Sequence, residues 1–252
     1  MISVENVSKT FGAQAALLPT TLTFQPRATT VLIGPSGCGK STLLRLIAGL
    51  ISHDSGRIAI NGVELTAGNT DEARHAIGYV IQDGGLFPHL TARQNVTLLA
   101  RFLKRPTNWI AERIEYLSAL VNIPENALAR YPQQLSGGQR QRISLMRALM
   151  LDPRLMLLDE PLGALDPIVR AELQAELKTI FNELGKTVIF VTHDMNEAAY
   201  FADEIVLMRD GEVVQHGALD DLLKRPADPF VLEFIRAQRS FLAERMAEKT
   251  AQ

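Results

Sequence analysis

The spacing of hydrophobic positions changes twice along the chain. Up to Gln82 the apolar residues come in short β-rich runs. These are "ISVENV", "TLTF", "TTVLIG", then "RIAINGVEL", which reads as a hairpin with Asn61-Gly62 at its turn, and "IGYVIQ". One helical stretch interrupts them, "KSTLLRLIAGL", where Leu43, Leu44, Ile47 and Leu50 recur at helical spacing and Gly49 is the stop signal. From Gly84 to about Leu151 strands vanish and helical periodicity takes over, as in "WIAERIEYLSALV". Strand texture returns with "RLMLLDEP", residues 154–161, whose unbroken apolar run is that of a central parallel strand. A helix around "IVRAELQAELKTIFNEL" follows, then the strand "TVIFVTH" and the hairpin "DEIVLMRDGEVVQHG", with Asp210-Gly211 at its turn. "DPFVLEFIRAQRS" opens a C-terminal helix with Asp228 as N-cap and Pro229 at the first helical position. The alternation predicts an α/β sheet. It divides into a core of residues 1–83 and 152–218, a helical subdomain inserted at 84–151, and C-terminal helices over 219–252.

Composition narrows the class. The 252 residues are 46% hydrophobic, enough to bury a real core. A net charge of -2 gives no global pull toward nucleic acid. Cys38 is the only cysteine, so no intrachain disulfide forms, which fits a reducing compartment. No apolar run approaches the ~20 residues of a membrane span. "MISVENVSKTFG" lacks the pattern of a signal peptide. The expectation is a soluble, intracellular chain.

Candidate chemistry begins at "GPSGCGKST", residues 34–42, which fits G-x-x-x-x-G-K-[ST] between a β-branched strand and a helix, the context of a phosphate loop. Gly34, Gly37 and Gly39 let the backbone curl so that its N–H groups point at phosphates, with Pro35, Ser36 and Cys38 in the variable positions. Lys40 reaches the β- and γ-phosphates. The Ser41 hydroxyl, followed by Thr42, suits Mg²⁺, which prefers hard oxygen ligands. Cys38 lies near a helix N-terminus, which can lower a thiol pKa, although a small tolerated residue is the simpler reading.

The acids of "LMLLDEP" end a strand, where open sheets bind ligands. Asp159 suits Mg²⁺ or its water, and Glu160 suits polarising an attacking water; solvated loop acids are the alternative. His193 follows "TVIFVT" at another strand end. It can touch the γ-phosphate or be merely structural. Gln82, at the border of the helical insert, is a candidate hinge that senses Mg²⁺ or γ-phosphate.

A second glycine-rich helix start lies in "YPQQLSGGQRQRISLMRALM", residues 131–150. Ser136 and Gln139 stand in capping-box spacing. A cap alone does not need Gly137 and Gly138, each of which costs about 1 kcal/mol of helix stability relative to Ala. Glycines do allow a backbone to approach a ligand closely.

Together "GPSGCGKST", "LSGGQRQR" (135–142), "LMLLDEP" (155–161), "GALD" (163–166) and "VTHD" (191–194) resemble the ATP-binding-cassette ATPases, in order and separation, over about residues 1–235. The resemblance implies a RecA-like phosphate-loop NTPase core with an N-terminal antiparallel β part and an inserted helical subdomain. It implies ATP and Mg²⁺ as cofactors and a head-to-tail homodimer with ATP sandwiched at the interface. Lys40, Ser41 and the loop amides of one chain would then face Ser136, Gly137, Gly138 and Gln139 of the other. It assigns Glu160 and His193 to water attack, Ser41, Gln82 and Asp159 to the metal, Asp166 to communication across the interface and Phe11 to stacking on adenine. Phe11 as a buried strand-end aromatic is the alternative. Ser136 would cap its own helix in the open state and turn to the partner's γ-phosphate in the closed one.

With no membrane span, the permease must be a separate polypeptide, fed by a periplasmic or surface substrate-binding protein, and the ATPase would sit on the cytoplasmic face of the plasma membrane. Leu86, Phe87 and Pro88 would dock the permease, a loop tucked on its own subdomain being the alternative. "GYVIQDGGLFPHLTARQNV" and "DPFVLEFI" resemble ATPases of importers for glycine betaine, choline or carnitine, with Asp83 departing from the residues expected after the glutamine. The chain stops at Gln252, which leaves no room for the paired regulatory domains of some of that group. Importers for sulfonates, nitrate or polyamines, and exporters, share most of these motifs. A soluble cassette protein of DNA repair or translation would carry two cassettes or a long coiled-coil insert, and a phosphate-loop kinase would not carry "LSGGQ".

Overall fold

The structure, a computed structural model, describes residues 1–82, 84–163 and 165–238. In chain order the strands and helices are β1 (Ile2–Phe11), β2 (Gln14–Phe24), β3 (Thr29–Ile33), α1 (Lys40–Ile47), β4 (Ser55–Ile60), β5 (Val63–Glu64), α2 (Thr70–His75), β6 (Ile77–Val80), α3 (Ala92–Phe102) and α4 (Thr107–Leu120). They continue with α5 (Gly137–Leu149), β7 (Leu155–Asp159), α6 (Pro167–Leu184), β8 (Thr187–Val191), α7 (Met195–Phe201), β9 (Glu204–Arg209), β10 (Glu212–Gly217) and α8 (Leu219–Lys224). Residues 229–238 are helical as well.

The chain folds as two compact units, Met1–Glu64 with Phe190–Gln252, and Leu65–Ile189. In the first, an antiparallel sheet runs in the order β2-β1-β4-β5, with Ile2 opposite both Phe24 and Ile60. It buries Val4, Leu22, Phe24 and Ile58, and a register shift between Val4 and Val7 brings Val7 inside as well. The same unit holds β3 parallel to β9, Thr30 facing Glu204, and β9 antiparallel to β10. All five residues of β3 are buried, as expected of a run flanked on both faces. Phe190 and Phe201 stack at 4.8 Å within this unit's core.

Both predicted tight turns form. Asn61 and Gly62 take φ 52 and 80, and Asp210 and Gly211 take φ 51 and 83, the pairing that a two-residue hairpin requires. Helix α1 stops earlier than its apolar spacing implied. Gly49 takes φ 64 and Leu50 N–H closes back on the Arg45 carbonyl at 2.9 Å, which leaves Leu50 outside the helix and exposed. Asp228 caps the last helix as expected, accepting from Phe230 N–H at 2.8 Å. The portion of "DPFVLEFIRAQRS" and of the C-terminal helices beyond 238 lies outside the described residues, as does Asp83.

In the second unit β6 and β7 run parallel, Ile77 facing Leu155 and Val80 facing Leu158. Helices α3, α4 and α5 bury Val96, Ala100, Ile114, Leu117, Ile143, Met146 and Leu149. Helix α5 is tied to α6 by a two-pronged ion pair, Arg142 Nε and Nη2 on Glu176 at 2.9 and 2.8 Å. Strand β8 crosses the division. Thr187 N–H bonds Arg154 O in the second unit, and Thr192 N–H, just past the strand, bonds Leu32 O in the first.

Candidate functional site

In the first unit the chain leaves β3 and curls through "GPSGCGK" into α1. Gly39 is the N-cap of α1 at φ 104, and no side chain caps the helix. The first-turn amides are therefore not claimed by a cap, which is what an anion site needs. A Cβ at Gly34 would sit 2.1 Å from Met208 O, and one at Gly39 2.5 Å from Ala16 O. Neither position admits a side chain. The loop is also held from the β9–β10 turn, where Gly211 N–H donates to Cys38 O at 3.2 Å and Gly211 O accepts from Leu18 N–H at 2.9 Å.

Lys40 is only 5% exposed. Its ammonium donates to the carbonyls of Gly34 and Pro35 at 2.8 and 2.9 Å and lies 3.6 Å from Cys38 Sγ. Among the described residues no carboxylate pairs with it. A buried cation held by neutral acceptors calls for a counter-charge, and a polyphosphate supplies one. The loop thus fits a nucleotide's phosphates. Burial pushes the Cys38 thiol up and outweighs the pull of Lys40, the opposite of what its place beside a helix start suggested. It is a filler of the loop wall and a poor nucleophile. Pro35, Ser36 and Gly37 are exposed, and Ser41 and Thr42 are half-buried in the first turn of α1.

Phe11, at the end of β1, is 51% exposed, so the buried alternative does not hold. Lys9 Nζ lies 5.5 Å above its ring. His193 is exposed just past β8.

In the second unit Asp159 ends β7 and is 4% exposed. Glu160 follows at φ 46, directly before Pro161. A non-glycine residue there is strained, and such strain gathers at working residues. Gln82 is exposed after β6. The loop beyond it is fastened to α5, since Ser144 Oγ donates to Gly84 O at 2.7 Å and Arg147 donates to Gly85 O and Gly84 O at 2.8 and 2.9 Å. The buried Asn95 amide completes the hold, accepting from Phe87 N–H at 2.7 Å and donating to the carbonyls of Phe87, Leu90 and Thr91. Sequence reasoning misses Asn95, Ser144 and Arg147, whose partners are mostly loop carbonyls that no residue pattern announces. Leu86 is half-buried, and Phe87 and Pro88 are exposed.

The start of α5 is fully capped. Ser136 Oγ accepts from Gln139 N–H at 3.2 Å and Gln139 Oε1 accepts from Ser136 N–H at 3.1 Å. Its two glycines differ. A Cβ at Gly137 would meet nothing nearer than Leu165 Cδ2, at 3.5 Å, but one at Gly138 would lie 2.6 Å from Val169 Cγ1 on α6. Gly138 is therefore demanded by helix packing, whatever it does toward a ligand. Asp166 caps α6, its Oδ1 accepting from Ile168 and Val169 N–H at 3.2 and 3.1 Å.

Residues 17–163 match the family model described as ABC transporter, and the chain belongs to that family, the ATP-binding cassettes. The carnitine transport ATP-binding protein OpuCA of Listeria monocytogenes is 46% identical over 253 residues, covering 100% of this chain and 64% of the relative. The glycine betaine uptake system ATP-binding protein YehX of Escherichia coli is 47% identical over 234 residues, 93% of this chain and 76% of the relative. The sulfate/thiosulfate import ATP-binding protein CysA of Synechocystis sp. is also 47% identical over 234 residues, 93% of this chain and 65% of the relative. The chain thus spans about two-thirds or less of most of these proteins. The post-hydrolysis dimer of the ATP-binding cassette MJ0796 bound to ADP and Pi superimposes with a TM-score of 0.79 at 33% identity, covering 87% of this chain and 99% of that one. The α/β phosphate-loop fold read from the residues is that of these cassettes.

Proposed function

We propose that the chain is the nucleotide-binding, ATP-hydrolysing subunit of a membrane importer for quaternary-amine osmoprotectants, acting as a sandwich homodimer. The observation that carries the reading is the phosphate loop, with a buried, counter-charge-poor Lys40 at an α-helix start that no side chain caps. Lys40 and the loop amides hold the β- and γ-phosphates. Phe11 is exposed, as stacking on adenine requires. Glu160 takes the proton of the attacking water, and His193 bonds the γ-phosphate. Ser41, Gln82 and Asp159 would hold Mg²⁺, which would supply positive charge to neutralise the phosphates. Ser136 and Gly138 of a second copy close the sandwich, with Gly137 and Gln139 at its rim, and Asp166 answers across the interface.

No helix among the described residues is long and apolar enough to cross a membrane. In this reading, which the transport relatives support, coupling runs through permease subunits at the cytoplasmic membrane face. Gln82 is the element that carries nucleotide state toward them, because the loop it opens is bonded directly to the signature helix α5. Leu86, Phe87 and Pro88 offer the apolar contact.

The experiment is ATP hydrolysis by this chain with its co-purified permease in lipid, with the cognate binding protein and one solute at a time. Stimulation by glycine betaine, choline or carnitine is expected. Stimulation by sulfate or thiosulfate alone would favour the second reading, which the equal identity to the sulfate importer supports. Absence of ATP hydrolysis under every condition would overturn the motor reading itself.

A further inference from the structure

The loop that carries His193 is held by several hydrogen bonds, and one of its partners comes from far along the chain. Thr192 and Glu197 are 2% and 4% exposed. Thr192 Oγ1 donates to Glu197 Oε2 at 2.6 Å and accepts from Asp194 N–H at 3.0 Å. Thr192 N–H donates to Leu32 O at 3.1 Å, and Asp194 Oδ1 accepts from Asn196 N–H at 2.7 Å. Two further backbone groups of the turn are the His193 carbonyl and the Met195 N–H. Both go to Gln238. Its Nε2 donates to His193 O at 2.5 Å, and its Oε1 accepts from Met195 N–H at 2.5 Å. A primary amide sets a donor beside an acceptor, so this one side chain brackets Asp194 as a neighbouring strand would.

Gln238 stands on the helix over residues 229–238, which is firmly seated. Asp228 caps it, Val231 and Ile235 are buried, and the Arg209 guanidinium lies 4.6 Å above the Phe230 ring. The two anchors of the turn differ in kind. The Thr192–Glu197 pair is buried and joins the turn to the first turn of α7 that follows it. The Gln238 clamp is half-exposed and belongs to another element.

We propose that Gln238 is a positioning residue for His193: its amide clamps the backbone on both sides of the switch turn, so that the seating of the C-terminal helix governs the hydrolytic step. The proposal rests on the ATPase reading above. Drawing residues 229–238 away from the turn would release the backbone that aims the imidazole, while the phosphate loop on which nucleotide binding depends would stay intact.

The test compares wild type, Gln238→Ala and Gln238→Glu as full chains with permease. It reads steady-state ATP hydrolysis, affinity for a fluorescent ATP analogue, thermal midpoint, and hydrogen exchange over residues 193–197. For Gln238→Ala we expect a kcat lowered on the order of tenfold, nucleotide affinity within about twofold, an unchanged midpoint and faster exchange at Met195. Gln238→Glu should fall at least as far, because it loses the donor and turns a carboxylate oxygen toward His193 O. Unchanged kcat in both variants would overturn the clamp. So would a parallel fall of kcat, affinity and thermal midpoint, which would mark a purely structural residue. A wild-type chain inert in Mg-ATP would instead sink the ATPase reading, a result distinguishable from either.

Discussion

Two helices of this protein start at glycine-rich loops, and they start differently. Helix α1 begins at a left-handed Gly39 without a side-chain cap, behind a loop whose Gly34, Gly37 and Gly39 all take positive φ. Helix α5 begins at Ser136 with both halves of a capping box made, and neither Gly137 nor Gly138 takes positive φ. One helix start carries no side-chain cap; the other has satisfied the amide of Gln139 with its own serine. The first is therefore ready for an anion as it stands. The second can reach one only by giving up a bond it already has. That asymmetry suits a site in which one loop binds nucleotide first and the other joins when a second copy arrives.

The largest expected effect lies in turnover. Glu160→Gln should lower ATP hydrolysis by on the order of 10²-fold or more while ATP binding persists, and should trap a dimer. A variant that stays monomeric in saturating Mg-ATP on a sizing column would break the sandwich picture. Next come the glycines. Gly34→Ala drives a Cβ into the Met208 carbonyl and should cost about 3 kcal/mol or more in denaturant unfolding, with nucleotide affinity lost. Gly138→Ala meets the β-branched Val169 and should cost about 1–3 kcal/mol, whereas Gly137→Ala should leave stability unchanged or raised. If both glycines of the second loop tolerated Ala equally, packing would not explain Gly138.

Smaller still, Ser136→Ala should cost about 1 kcal/mol of stability through the lost cap and leave nucleotide binding by the isolated monomer untouched. Equal losses in apo stability and in ATP-driven dimerisation would remove the need for any turning of this side chain. The smallest effect is electrostatic and concerns the strand that ends at Phe11. Asp54 holds the Lys9 ammonium and Thr10 N–H, both at 2.7 Å, and the Lys9 hydrogen bond is the main reason its carboxyl lies below the usual carboxylate range. A lowered folded-state pKa means the contribution is present above the unfolded value, about 3.9, and fades as pH falls through the folded one. Asp54→Asn should therefore lower the thermal midpoint slightly at pH 7, with the gap closing below about pH 4.

What can be read in advance is local. Asn61-Gly62, Asp210-Gly211, the Asp228 cap and the Ser136–Gln139 box each join residues within four positions, so their chemistry is written in neighbouring letters. The six- and seven-residue helices α2 and α7 escape the pattern, because they are too short to show a period. The phosphate loop is legible as a motif, but the reason Gly34 must be glycine is Met208, far along the chain. The two glycines of the second loop invite a ligand argument, and packing against α6 supplies a sufficient reason for one of them. Asn95, Arg147 and Gln238 are invisible for the same cause: each satisfies backbone groups that carry no side-chain signature.

The hold of Gly211 on Cys38 and Leu18 has a consequence for the order in which the molecule comes into being. The phosphate loop is encoded by residues 34–42, but its wall is completed by the turn between β9 and β10. On the ribosome the motif is made early and the brace late. A nascent chain must extend past Gly211, and clear the exit tunnel, before the loop acquires its final contour. Nucleotide affinity thus arrives only after Gly211 has emerged, so that chains shorter than this do not sequester ATP, and bound nucleotide then stabilises only molecules that have been made to that point.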